Sequence, residues 1–222
     1  MKLKINSNFK YGFTLAEVLI ALVIVGIVAA LVISPLINTY VESSTVAKVK
    51  KGLSILGQAK KLAETQSGSV DGWEFEEEPS STSAAQFFSY LKPHLSIAKD
   101  CVSFTNCLPD YNVKYLKGTP WSNFSVHSQY YTFVLADGSI MLFRTLDGKC
   151  NTTTSGYQNV CAMFFYDTNA DKEPNTLGKD FFYFFFTKDG VFPNLTDDCY
   201  KNSTGYGCSG YIIKNNNMNY LH

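Results

Sequence analysis

Sixteen consecutive positions, Val18 to Ile33, are apolar apart from Gly26, and a single carboxylate, Glu17, stands immediately before them. At a rise of about 1.5 Å per residue, a helix from Phe13 to Ile33 is about as long as a bilayer core is thick. An unpaired charge just inside that zone costs roughly 2.5–3.5 kcal/mol or more. A chain that keeps Glu17 there should supply it with a partner. The run is too long for the h-region of a secretory signal, which spans about 7–15 residues, and Ala29-Ala30 is a poor cleavage site. An uncleaved signal anchor accounts for the apolar run, but not for Gly12-Phe13-Thr14-Leu15 together with Glu17.

Beyond the run, apolar residues recur mostly every three or four positions at Val41, Val46, Val49, Leu53, Leu56, Ala59 and Ala63, with Lys and Glu on the opposite face. This spacing predicts that the helix continues as an amphipathic stem, ending near Ser67-Gly68-Ser69. Gly26 and Pro35 lie inside it as weak points. An acidic stretch, Glu74 to Ser81, reads as solvated loop. Ser83 to Leu91 reads as a short helix, with Ser83 as its cap and Ala84, Phe87, Phe88 and Leu91 as its apolar face.

From Tyr130 the period changes to that of strands. Tyr130–Leu135 and Ile140–Thr145 flank Ala136-Asp137-Gly138-Ser139, a hairpin signal. Val160–Tyr166 and Phe181–Thr187 read as two more strands, the second continuing through Lys188-Asp189-Gly190 into Val191-Phe192. Tyr211-Ile212-Ile213-Lys214 reads as a further strand. Six consecutive aromatics, Phe181 to Phe186, suit a strand buried on both faces, or one with a face on the stem helix and the other in a subunit interface, and no Lys or Arg interleaves with them as in a nucleic-acid stacking platform. The expected class is α+β: a long transmembrane and stem helix packed on an antiparallel sheet of about four strands. Residues 1–12 form a basic leader, 13–34 the membrane helix, 35–67 the stem helix and 68–222 the head.

Without residues 1–12, which carry three lysines and no acid, 16 basic and 19 acidic residues remain, a net of −3. Lys48, Lys50, Lys51, Lys60 and Lys61 cluster just past the span. A solvated helix face explains them, the alternative being contact with anionic lipid heads or with DNA. Six cysteines, Cys101, Cys107, Cys150, Cys161, Cys199 and Cys208, all lie beyond the span. An even count there reads as disulfides in an oxidising compartment. Their spacing groups them as Cys101–Cys107, Cys150–Cys161 and Cys199–Cys208. There is no Cys-x-x-Cys, and the three histidines are scattered, which argues against zinc.

No nucleophile elbow, Walker loop, metalloprotease helix or dinucleotide fingerprint occurs, so an enzyme is not expected. Side-chain oxygens at Asp167, Asn169 and Asp171 alternate as in the first half of a calcium loop, but no Gly follows at 172 and no Glu stands at 178. Either the loop is Asx-rich and bonded to its own backbone, or it holds calcium through Asp167, Asn169, Asp171 and Asp180.

Lys10-Tyr11-Gly12-Phe13-Thr14-Leu15-Ala16-Glu17-Val18-Leu19-Ile20 resembles the N-terminal processing and methylation motif of type IV pilins and type II secretion pseudopilins. The resemblance covers about the first fifty residues. It implies cleavage by a prepilin peptidase after Gly12, methylation of Phe13, and pairing of Glu17 with a neighbouring subunit's N-terminus. It also implies a stem helix packed on a sheet head, insertion with the leader in the cytoplasm, and growth of a filament from an inner-membrane assembly platform. Partners are then other pilin or pseudopilin subunits and the membrane, with no nucleic acid expected, although DNA uptake stays open. The 167–180 loop resembles loops of pilin-like heads, some of which hold calcium. Cys199 to Cys208 resembles the disulfide-closed C-terminal loop of pilins. The rival expectation is a monomeric, membrane-anchored extracytoplasmic binding domain.

Overall fold

The computed structural model describes residues 12–103, 107, 111–124, 127–170 and 172–222, so the leader lysines and Asp171 lie outside the described residues. Helix α1 runs from Leu15 to Ser67, 53 residues with Pro35 inside. It is the one helix long and apolar enough to cross a membrane among the described residues. The chain divides into two compact units, Met1–Val41 and Glu42–His222. In the first, the apolar side chains stand exposed, from Phe13 at 87% to Leu31 at 72%. Among the described residues of this unit nothing covers that surface, which suits a segment solvated by lipid.

In the second unit the stem behaves as an ordinary amphipathic helix. Val46, Val49, Leu56, Ala59 and Ala63 are buried at its three-or-four spacing. Gly52 marks a close approach to the sheet. A Cβ there would sit 2.9 Å from Cε1 of Tyr166.

The sheet has seven strands: β1 (Ile97–Ser103), β4 (Tyr131–Leu135), β5 (Ile140–Thr145), β6 (Thr152–Thr154), β7 (Tyr157–Asp167), β8 (Phe181–Thr187) and β9 (Val191–Pro193). The order is β1-β4-β5-β7-β8-β9, with β6 also pairing β7, and every pair is antiparallel. A separate ribbon is formed by β2 (Asn112–Lys114) and β3 (Pro120–Asn123). The sheet is thus larger than the four strands expected. The additional ones are short or broken by register shifts, as in β1 between Ile97 and Lys99 and between Asp100 and Val102. Such segments carry no clean two-residue period.

Strand β8 explains the two-faced aromatic run. Phe182, Phe184 and Phe186 enter the core shared with α1, Phe87 and Phe88, whereas Phe181, Tyr183 and Phe185 enter a second core with Tyr111, Val113 and Phe124 of the ribbon side. Burying each such ring contributes roughly 1.5–3 kcal/mol. The sheet is therefore the middle of three layers, helices on one face and ribbon on the other.

Helix α2 (Ser81–Leu91) lays Phe87 and Phe88 on the first core, Phe88 stacked on Phe133 with ring centroids 4.6 Å apart. Its cap is Ser80, not Ser83: the Ser80 hydroxyl accepts from the Ser83 amide at 2.9 Å. Ser83 instead points inward, its hydroxyl donating to the Glu76 carbonyl at 2.9 Å and lying 2.8 Å from that of Thr145. Tyr211–Lys214 is not a strand. It belongs to α3 (Cys208–Asn215), which ends on Asn216 in the left-handed conformation at φ 57°. Backbone bonds such as Tyr211 N–H to the Gly207 carbonyl at 3.0 Å override the β-branched Ile212-Ile213 pair.

Three disulfides close local loops, Cys101–Cys107, Cys150–Cys161 and Cys199–Cys208.

Candidate functional site

The N-terminal site begins before the helix does. Gly12, Phe13 and Thr14 lie outside α1 and are exposed, and a Cβ on Gly12 would meet nothing within 4 Å. The residues on both sides of the Gly12–Phe13 peptide bond are therefore exposed. Thr14 then starts the helix. Its backbone amide and its hydroxyl both donate to Oε2 of Glu17 at 2.8 Å, and the Glu17 amide donates back to the Thr14 hydroxyl at 3.2 Å. This is a reciprocal capping box. The Thr-x-x-Glu spacing signals it in the sequence, and the reading of Glu17 by charge and burial alone passes over it. The box supplies the partner that Glu17 needs at the edge of an apolar run, and it leaves Glu17 four residues from Phe13.

The second site is the connection between β7 and β8. Asp167 ends β7, and its carboxylate accepts the Tyr111 hydroxyl and the Asn169 amide, the latter at 2.9 Å. Asp180, just before β8, gathers the other end. It accepts the amides of Thr176 at 2.5 Å and Asn175 at 3.1 Å, and the Asn169 side chain at 3.3 Å. The loop is also fixed to β2, through the Lys114 amide to the Asn175 carbonyl at 3.0 Å and the Leu177 amide to the Lys114 carbonyl at 2.9 Å.

Both carboxyls are strained electrostatically. Burial pushes Asp167 up to about 8, against bonds from Tyr111 and Asn169, and the charge of Asp180 pushes the same way. Burial pushes Asp180 up to about 6, against the amides of Thr176 and Asn175 and the side chain of Asn169. The structure thus brings Asp167, Asn169 and Asp180 together. It also adds Asn175, which sequence reasoning missed for want of an alternating position. The oxygens Oδ1 of Asn169 and Asn175 are buried without a hydrogen-bond partner among the described residues. Among the described residues no group of three or more His, Cys, Asp or Glu is placed to hold a metal. Any cation here would rest on two carboxylates and two amide oxygens.

The stem lysines do not form a free basic stripe. Lys48 donates to the Thr168 carbonyl at 2.7 Å, Lys50 to Asn216 at 2.6 Å, Lys51 pairs with Asp137 at 2.6 Å, and Lys60 pairs with Glu64 at 2.6 Å while reaching the Lys188 carbonyl. Four of the five are thus engaged within the head unit. Lys51, with Ser139, holds the Asp137 carboxyl down at about 2 although burial opposes it.

Residues 8–33 match the prokaryotic N-terminal methylation motif. This is a type IV pilin-like prepilin. Residues 35–218 match a family of unknown function (DUF6613), and the chain belongs to that family as well. No curated protein and no solved structure matches the chain. The prepilin motif begins before the exposed Gly12–Phe13 bond and ends at Ile33, so the capping box lies wholly within it. This prepilin therefore joins a shared N-terminal segment to a head whose own family carries no assigned role.

Proposed function

We propose that the chain is a structural subunit of a type IV pilus-like or type II secretion filament, assembled from the inner membrane after processing. The single observation that carries this reading is the methylation motif at residues 8–33, on a helix whose apolar side chains stand exposed among the described residues. A prepilin peptidase cuts after Gly12, and Phe13 becomes a methylated N-terminus. The new amine and the Glu17 carboxylate then form pairs between subunits that select and register each arrival. The disulfide-closed head stands on the periplasmic side and ends on the filament surface. Its part is structural rather than enzymatic.

The test is fractionation. Sheared filaments should be enriched in the processed chain. Recovery of the processed chain only in inner membranes would support the rival, a monomeric anchored binding domain.

A second proposal concerns the β7–β8 connection. We propose that it binds calcium through Asp167, Asp180 and the amide oxygens of Asn169 and Asn175. The support is the pair of buried orphan oxygens beside two carboxyls whose ionisation burial opposes. A bound divalent cation would neutralise both. Calorimetry on the full chain in detergent should show calcium binding that weakens in Asp180→Asn. Absence of heat together with an unchanged melting temperature would leave the loop as a self-bonded connection.

A further inference from the structure

The chain contains eighteen lysines and one arginine, Arg144. Its position follows from the strand period. On β5, Met141 and Phe143 face the core under α1, and Ile140 and Leu142 face the second core, so Arg144 comes next on that second face. It sits opposite Met163 of β7, with its guanidinium carbon 6.0 Å from the centre of the Tyr130 ring.

Arg144 lines a cavity of about 490 Å³ together with Trp121, Tyr130, Tyr183, Tyr206 and Asp198. That volume is within the ~300–1,000 Å³ usual for small-molecule sites. The Arg144 Nε is buried and has no hydrogen-bond partner among the described residues. Among the described residues Arg144 takes part in no ion pair. Asp198, the one carboxylate in the lining, is already engaged by Thr204, whose amide donates at 3.1 Å and whose hydroxyl donates to the other oxygen. A partly desolvated guanidinium without a counter-charge is costly. Lysine serves at every other basic position of this chain, so a planar fork of donors here suits an anion held bidentately.

The surroundings define that anion. The cavity contains no lysine, so a phosphate near −2 would be only half neutralised, whereas one carboxylate matches one guanidinium. Trp121 and Tyr206 are half-buried, their ring planes nearly perpendicular at 82° and their centroids 5.5 Å apart, which leaves ring surface for apolar C–H groups. Ser155 and Thr196 in the lining are exposed and bring hydroxyls. A plain hydrocarbon acid would leave these unmatched, but a sugar ring offers C–H faces to the rings and hydroxyls to the rim. We propose that this cavity binds a saccharide bearing a carboxylate, with Arg144 holding the carboxylate and Trp121 and Tyr206 packing on the ring.

The test is calorimetric titration of the full chain in detergent micelles. The probes are glucuronate, galacturonate and N-acetylneuraminate as free sugars, and polygalacturonate as a chain-embedded source. Glucose, galactose and acetate are the controls. At least one acidic sugar should bind, with glucose, galactose and acetate at least about tenfold weaker, corresponding to about 1.4 kcal/mol. Tighter binding of polygalacturonate than of galacturonate would assign the source to polysaccharide, and the reverse to free sugar. Arg144→Met should abolish binding at an unchanged melting temperature. If that variant melts early, Arg144→Lys carries the test, since it keeps the charge and should still lose about tenfold in affinity. The proposal is overturned if acidic and neutral sugars bind alike, if acetate binds as well as the sugars, if Arg144→Lys binds like wild type, or if no probe saturates at millimolar concentration.

Discussion

Thr14 and Glu17 hold each other at the start of α1, two bonds of 2.8 Å running to one carboxylate oxygen and one of 3.2 Å returning to the hydroxyl. The pair caps α1, and the proposed filament asks Glu17 to carry a charge to a neighbour as well, so the two roles are separable. A cap is worth about 0.5–2 kcal/mol. Glu17→Gln separates them, because the amide oxygen still accepts from Thr14 but the charge is gone. Glu17→Gln and Glu17→Ala should both be inserted and cleaved, and both should enter sheared filaments poorly relative to wild type. Wild-type incorporation of Glu17→Gln would reduce Glu17 to a helix cap.

Processing has its own signature. Mass spectrometry of the membrane-extracted chain should find residues 1–12 missing and a methyl group on Phe13. An intact Met1 would defeat this, and so would a cut near Ala30. Because a Cβ at Gly12 meets nothing in the free chain, Gly12→Ala should fold normally. Its failure to be cut would point to the peptidase's own pocket.

The β7–β8 connection predicts a pH dependence with a definite sign. A carboxyl whose folded pKa is raised favours the folded state most when protonated. That stability is present below the unfolded value of about 4 and is lost as pH rises through the folded value. For Asp167 the window reaches up to about 8. With chelator present, the melting temperature should fall between about pH 5 and pH 8, and Asp167→Asn should flatten the fall. Asp137, held at about 2, acts only below this window. Added calcium should raise the melting temperature more at the alkaline end. A flat wild-type profile in chelator would contradict the burial of Asp167.

The Cys150–Cys161 bond closes a loop of sequence separation 11 against β7. A double serine variant of Cys150 and Cys161 should lose about 3 kcal/mol by loop-closure entropy, read as a lower denaturation midpoint in urea. Unchanged stability would mean that this loop is already ordered in the unfolded chain.

How far the sequence could be read depends on where the information lies. The stem, the β4–β5 hairpin and β8 were legible because each carries its own period and, for the hairpin, its own turn. Strand β1 was not, because its register shifts scatter the alternation, and three-residue strands such as β2 and β6 owe their state to partners distant in the chain. The stretch 211–214 misled because its branched residues favour strand while Gly207, Gly210 and the left-handed Asn216 fix a helix around them. In the β7–β8 connection, Asp167 and Asp180 could be picked out by type. That Asn175 joins them depends on the clamp to β2, which no local pattern records. Arg144 was visible as the chain's single arginine, but the aromatic cavity around it is assembled from β3, β5, β7, β8 and the segment near Cys199–Cys208.

The two-faced burial of β8 has a consequence for the chain before it closes. Phe181 to Thr187 is uncharged, aromatic, and without Pro or Gly, and every one of its residues is buried once the layers meet. A segment of that kind, exposed before the chain folds, is what seeds cross-β aggregation. The charged pairs Lys179-Asp180 and Lys188-Asp189 stand at either end of it. They act as gatekeepers, interrupting any stack that would extend the run. Safe folding of this head therefore depends on how quickly helix and ribbon cover one strand from both sides.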